Sequence, residues 1–352
     1  MGGIAYREEG GDMDGVWRQR WFRAFDTDCA IKALGVGEAA LDDAVRLCAA
    51  YQRSLGPASE GGDVWRINHA AGLPVQVEPD TAELIGAALR YCELTCGLFD
   101  ITAGELARLW HRSRTREPSP ADVERALEHT DWHMVELHGR TVALRDPQAR
   151  IALGGIAKGF IADKVRDLLV ERGAQGALVN LGGNIVVSGD SPEGGLWRIG
   201  IRSPDFHERE GERRARACDI AASPRGIDAR QARDLALRRE TPALSLRLTN
   251  KSVVTSGIYE RLFVDAEAGA AHHHIVDPRT GYPSRSDVAS VTVISERSLD
   301  GDGLSTALLI MGRAWAQAFV DEALPGIEAV LIDRDGNAGA SAGAQAFIEA
   351  GA

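Results

Sequence analysis

Short turns between β-type segments constrain the fold of this chain more than any other feature. Thr141 to Leu144 follows Met134 to Leu137 across His138-Gly139-Arg140, and Trp197 to Ile201 follows Ile185 to Ser188 across Gly189 to Gly195. Connections this short join antiparallel strands, because parallel neighbours need a crossover of roughly a dozen residues or more. Gly176 to Val179, Leu244 to Leu248, Ser252 to Thr255 and Ala289 to Ile294 are further strand-like runs, and Phe22 to Leu34 alternates as a single first strand. Between them, apolar residues at helical spacing predict helices over Leu41 to Leu55, Thr81 to Thr95, Ala121 to His129, Phe160 to Arg172 and Leu304 to Met311, with a short one in Asp63 to His69. Pro79 and Asp80 supply a start signal and Gly173 a stop. Hairpins with flanking helices make this an α+β fold of mainly antiparallel sheets, not a doubly wound parallel one.

The chain of 352 residues carries a formal net charge of -11, which argues against nucleic acid or an anionic membrane surface as a partner. No apolar run is long enough to span a membrane. The Gly- and acid-rich start lacks a basic-then-apolar leader pattern, so a cytoplasmic protein without a membrane anchor is expected. Residues 1–18 read as a disordered lead-in to a domain over 19–345. The Arg- and Glu-rich stretch 204–242 reads as a mobile insertion with a short helix near 228–239. Cys29, Cys48, Cys92, Cys96 and Cys218 follow no disulfide or zinc spacing, which leaves them as buried thiols.

Four segments carry chemistry. In Leu153-Gly154-Gly155-Ile156-Ala157-Lys158-Gly159, a glycine pair leads into a helix, so that first-turn amides and the Lys158 ammonium can meet a phosphate. It is neither a Walker loop nor a dinucleotide fingerprint, and it is equally a tight strand-to-helix turn with an exposed lysine. Val179-Asn180-Leu181-Gly182-Gly183-Asn184 ends a strand in a glycine turn, the mark of a hairpin. In Asp300-Gly301-Asp302-Gly303-Leu304-Ser305-Thr306, Asp302 and Thr306 stand four apart in what reads as a first helical turn. That puts two oxygen donors suited to magnesium on one face, or else a cap and a mid-helix threonine. His272-His273-His274-Ile275-Val276-Asp277-Pro278 sets an imidazole beside an acid and a rigid turn, where it serves as a general base or stands as a surface residue.

Taken in order, these segments resemble the ApbE family of FAD:protein FMN transferases over about residues 20–345, apart from 204–242. Phe22-Arg23-Ala24-Phe25-Asp26-Thr27 is similar to the family's opening strand, with Phe25 at its methionine. Asp63 to Asn68 is similar to its Ser-x-Leu/Ile-Asn segment, and Gly97-Leu98-Phe99-Asp100-Ile101-Thr102-Ala103-Gly104 to the segment lining the FAD site. The resemblance implies cofactor contacts at Phe25, Leu98, Phe99, Asp100, Lys158, Thr255, Ser256, Gly257 and Val276. It implies His274 as the catalytic histidine, and the Gly155 carbonyl, Asp302 and Thr306 as ligands of Mg2+.

It also implies a T-fold-like architecture, FAD as substrate, and an acceptor flavoprotein carrying a Thr/Ser flavinylation motif. The implied reaction transfers FMN to that hydroxyl and releases AMP. Hydrolysis of FAD to FMN and AMP, or flavin binding without catalysis, are the alternatives. The acceptor motif itself does not occur in this chain, so self-flavinylation is not expected. Two positions depart from the family pattern: Ala152 stands where an aspartate usually precedes Leu-Gly-Gly, and Asp26 replaces a glycine.

Overall fold

The structure is a computed structural model that describes residues 15–112, 117–202, 242–259, 262–264 and 271–349. Its strands are β1 (Trp17–Ala24), β2 (Thr27–Leu34), β3 (Val75–Gln76), β4 (Val135–His138), β5 (Thr141–Leu144), β6 (Gly176–Leu181), β7 (Asn184–Gly189), β8 (Trp197–Arg202), β9 (Pro242–Leu248), β10 (Lys251–Gly257), β11 (Leu262–Val264), β12 (Ala271–His273), β13 (Val288–Ser295), β14 (Glu328–Asp333) and β15 (Ala338–Ala340). The helices are α1 (Glu38–Leu55), α2 (Asp63–His69), α3 (Pro79–Leu94), α4 (Gly104–Arg112), α5 (Pro120–Glu128), α6 (Ala157–Glu171), α7 (Ser298–Met311) and α8 (Arg313–Ala323). An eight-stranded sheet runs β1-β2-β6-β7-β10-β13-β14-β15, and every neighbouring pair in it is antiparallel. This is the expected α+β architecture.

The central strands are covered on both faces, and the period-2 alternation of side chains divides the core accordingly. Val186, Ala289, Val291, Val293, Ala329 and Leu331 face the main core with residues of α1, α3, α6 and α7. Their neighbours Val187, Val253, Ile294, Val330 and Ile332 face the other way, onto Trp197, Ile199, Ile201, Leu244, Leu246 and Leu248 of the β8–β9 hairpin. A third, small cluster joins Leu106 and Trp110 of α4 to Val123 and Ala126 of α5 and to Val276.

Several expectations change. Phe22 to Leu34 is not one strand: β1 and β2 form a hairpin whose last pair is Ala24↔Thr27, with Phe25 and Asp26 as its two-residue turn. The lead-in ends sooner than residue 18, since β1 begins at Trp17. Gly189 to Gly195 does not close a hairpin, because β8 leaves the large sheet to pair with β9 while β7 pairs with β6 and β10. The helix expected from Leu304 starts at Ser298, so Asp302 and Thr306 lie beyond its first turn. Helices α4 and α8 and strands β14 and β15 are not among the predicted elements, although Leu106 and Trp110, four apart and both buried, mark an apolar face on α4. Cys29, Cys48 and Cys92 are buried thiols, whereas Cys96 is exposed; Cys218, residues 204–241 of the expected insertion with its short helix near 228–239, and residues 1–14 lie outside the described residues.

Candidate active site

One end of the large sheet gathers the chemistry-bearing segments. The β1–β2 and β6–β7 turns lie side by side there, since a Cβ on Gly182 would stand 2.3 Å from Cγ2 of Thr27. Gly182 (φ 66°) and Gly183 (φ 97°) fill a two-residue turn in which glycine is at ease, and Asn180 Oδ1 accepts from Gly183 N at 3.0 Å. Phe25 (φ 53°) and Asp26 (φ 58°) adopt the same left-handed backbone with side chains, a conformation that costs free energy outside glycine. Gln52 Oε1 on α1 supports the turn by accepting from Phe25 N at 3.0 Å. Val254↔Asn184 pairing places the following residues of β10, Thr255 to Gly257, at the same end.

Asn68, of the Asp63 to Asn68 segment, shapes the approach to α6. Its buried carboxamide acts like a strand edge: Nδ2 donates to Ile151 O at 2.9 Å and Oδ1 accepts from Ile151 N at 2.8 Å. The chain then passes Leu153, turns at the exposed Gly154 and Gly155, and enters α6. Lys158, second residue of that helix, donates from Nζ to Asn184 Oδ1 at 2.7 Å.

Helix α7 is buried on nearly every side, which its small residues permit. It runs antiparallel to α6. Asp163 of α6, 6% exposed, accepts from Ser298 N at 2.9 Å and Leu299 N at 3.0 Å and so caps α7 from outside. Burial pushes the Asp163 carboxyl up to about 6, against the pull of these two N–H donors and of Arg166. One turn further, Gly159 N donates to Asp302 Oδ2 at 2.9 Å. Ser256 Oγ of β10 lies 2.8 Å from Ser305 Oγ and 3.3 Å from Thr306 Oγ1, and Thr255 Oγ1 lies 2.8 Å from Thr292 Oγ1. Three polar groups, Gly159 with Asp302, Lys158 with Asn184, and Ser256 with Ser305 and Thr306, are thus set along the facing parts of α6, α7, β7 and β10.

Other expected residues are placed differently. Asp100 turns into its own loop: Oδ1 accepts from Thr102 N at 2.7 Å and from Thr102 Oγ1 at 2.6 Å, and Oδ2 from Trp132 N at 3.2 Å. Burial raises its pKa. Leu98 and Phe99 are side chains of the main core, with Phe99 edging Gly155 so closely that a Cβ there would meet Cε2 at 3.2 Å. Val276 packs in the third cluster. Ala152 sits against Gly104 and donates its N–H to Ile101 O at 2.8 Å, so the place of the family acid is taken by a methyl contact. His274 follows β12, half-buried, with its Nδ1 buried. Among the described residues no three His, Cys, Asp or Glu side chains come together as a metal-binding set. A shallow depression lined by Asp131, His133, Met134, Arg145 and Asp146 involves none of these residues.

Asn68, Asp163 and Asn184 were not singled out from the sequence as site residues. Asn68 and Asn184 stood in noted motifs, but the partner of each lies far along the chain, 83 residues from Asn68 and 26 from Asn184.

Known proteins are similar to this chain in sequence and in fold. A FAD:protein FMN transferase of Treponema pallidum is 32% identical over 315 residues, 87% of this chain and 80% of that protein. One from Klebsiella pneumoniae is 34% identical over 287 residues, 80% of this chain and 78% of its own length. The crystal structure of the ApbE protein of Thermotoga maritima superposes with a TM-score of 0.77 at 28% identity, covering 95% of this chain and all (100%) of that one. The flavin transferase ApbE of Vibrio cholerae, at 24% identity and a TM-score of 0.75, shares the fold. No helix among the described residues is long and apolar enough to cross a membrane. The ApbE family model matches residues 25–331, which takes in every element of the site from the Phe25 turn to α7, and the chain belongs to the ApbE family.

Proposed function

We propose that this protein is a magnesium-dependent FAD:protein FMN transferase, acting on FAD and on a Thr or Ser hydroxyl of an acceptor flavoprotein. The observation that carries the reading is the Gly159–Asp302 contact, which brings the Lys158-bearing start of α6 to the carboxylate of α7. The donor set fits a hard cation: Asp302 spends Oδ2 on Gly159 N and keeps Oδ1, Thr306 adds a hydroxyl, and Gly155 is an exposed turn residue with a backbone carbonyl to offer. Asp302, Thr306 and the Gly155 carbonyl would hold Mg2+, which when bound draws charge off a pyrophosphate.

The chain's own groups account for the rest. The Lys158 ammonium and the positive end of the α6 dipole attract the pyrophosphate. The Phe25 turn and the Leu98 to Asp100 loop supply apolar surface and backbone near the flavin, and Thr255, Ser256, Gly257 and Val276 complete the wall. His274 takes the proton of the acceptor hydroxyl as its oxygen bonds to the flavin-side phosphorus. The bond from that phosphorus to the AMP oxygen breaks, AMP leaves, and FMN stays on the acceptor through a phosphoester.

The test is incubation with FAD, magnesium and a co-expressed acceptor bearing a Thr/Ser flavinylation motif. Transfer requires AMP release together with flavin that stays on the acceptor after denaturation. AMP with only free FMN identifies a hydrolase, and bound FAD without AMP a flavin-binding protein; either result rejects the transferase.

A further inference from the structure

We propose that Asn184 is a further ligand-binding residue of this site: one end of its carboxamide fixes the Lys158 ammonium, and the other offers an N–H to the phosphate oxygen that Lys158 binds. This rests on the reading of the site as an FAD site.

The argument begins with hydrogen-bond capacity. Lys158 Nζ can only donate, so the atom 2.7 Å away must be the Asn184 oxygen, and the amide orientation is thereby settled. Nδ2 then points away from β7's contact with the lysine. Asn184 is 1% exposed, and Nδ2 is buried with no hydrogen-bond partner among the described residues. A buried donor left unmade costs free energy, and such a group in a native fold calls for a purpose. The other buried polar atoms without partners include the hydroxyls of Ser252, Ser290 and Ser298, which rotate freely about one bond. Asn184 cannot turn without breaking its lysine contact.

Its position makes the purpose specific. Asn184 is the first residue of β7, directly after Gly182-Gly183 and beside the Phe25 turn, at the sheet end that faces the start of α6. The two ends of one carboxamide are within a bond or two of each other. An oxygen anion drawn to the Lys158 ammonium therefore comes within reach of Nδ2, which meets it with a charge-assisted hydrogen bond. A free ligand site is then partly desolvated in advance, and the unmade bond is completed only on binding.

FAD titration monitored by flavin fluorescence, without magnesium, separates this role from a structural one. Wild-type protein that fails to bind FAD sinks the reading of the site itself, whatever the Asn184 variants do. Asn184→Leu keeps the volume and removes both polar atoms, and should weaken FAD roughly tenfold or more with little change in melting temperature. The decisive comparison is the Lys158→Met background. If Nδ2 touches the ligand, Asn184→Leu weakens FAD there several-fold again; if Asn184 merely steadies the lysine, it adds nothing, and the proposal fails. Asn184→Ser, too short to reach both partners, should behave like the leucine variant and stands in should that one fold poorly. Riboflavin, which has no phosphate, should bind wild type and Asn184→Leu alike. An equal loss of riboflavin would place the lost contact elsewhere and overturn the assignment.

Discussion

Gly159 and Asp302 meet backbone to side chain: the glycine N–H donates to Oδ2 of the aspartate at 2.9 Å across the α6–α7 contact. The bond ties one carboxylate oxygen to the fold and orients the other. It also depends on the absence of a side chain at 159, because the two helices approach too closely for a Cβ there.

Asp302→Asn separates charge from position. The amide oxygen still accepts from Gly159 N, so stability should change little. Loss of the sole side-chain carboxylate proposed for the metal should cut magnesium-dependent AMP release by about 10²-fold or more, since a metal supplies several kcal/mol of charge stabilisation. AMP release measured across a magnesium titration checks this, and near-normal turnover would remove Asp302 from the ion.

Gly159→Ala should fail for a steric reason. Its Cβ would stand 2.3 Å from the Ser298 carbonyl oxygen and 2.7 Å from Asp302 Cβ, and backbone cannot swing aside as a flexible side chain would. Overpacking of this kind costs about 1–3 kcal/mol, more than the roughly 1 kcal/mol that alanine gains in helix propensity. Urea denaturation should show a lower midpoint; an equal or higher one would mean that α6 and α7 part easily.

His274→Asn should leave FAD affinity intact while transfer falls by about 10²–10⁴-fold, the range for losing a general base. The two readouts are flavin fluorescence for binding and in-gel flavin fluorescence of the acceptor for transfer. Transfer at the wild-type rate would take His274 out of the chemistry.

The buried Asp163 carboxyl gives a pH dependence with a definite sign. Its folded pKa, raised by burial to about 6, exceeds the unfolded value, so the folded state holds the proton more tightly. Its contribution to stability is full below about pH 4 and is lost as pH rises through about 6, a change on the order of 3 kcal/mol. The stability of wild type relative to Asp163→Asn should therefore fall between pH 4 and pH 7. Denaturation of both proteins across that window measures it, and a flat difference would contradict a raised pKa.

Asp26 holds φ 58° in the β1–β2 turn. Glycine adopts that backbone freely, whereas an L side chain pays in steric strain of about 1–2 kcal/mol, less for aspartate. Asp26→Gly should raise stability by up to about 1 kcal/mol after glycine's greater unfolded-state entropy is subtracted. A destabilised variant would show that the Asp26 side chain itself supports the turn.

Much of the fold was legible in short segments. Strands β4 and β5 and their turn, the helix boundaries at Pro79 and Gly173, and the two-glycine β6–β7 turn are local signals, set by propensity and turn chemistry over a few residues. The motif segments pointed to Lys158, Asp302 and Thr306 by residue type, and the family resemblance added Ser256 and His274.

What the chain's neighbours in space decide could not be read that way. Ser298 to Gly303 contains two glycines and two acids, and most of it lies ahead of the helix expected from Leu304, yet it is helix, because Asp163 caps it from another helix and Val254 and Tyr91 pack where Gly301 and Gly303 lack side chains. Asp100, which the family resemblance implies as a cofactor contact, also stitches its own loop through Thr102 and Trp132, a role no local window shows. Strand β8 follows a short turn but crosses to β9, since its inward residues Trp197, Ile199 and Ile201 bury more against the second face of the sheet than an edge position would allow. The sequence by itself determined the local elements and the chemical groups on offer. The tertiary structure decided which groups meet, as Gly159 and Asp302 do from 143 residues apart, because burial and hydrogen-bond satisfaction depend on contacts that no local window contains.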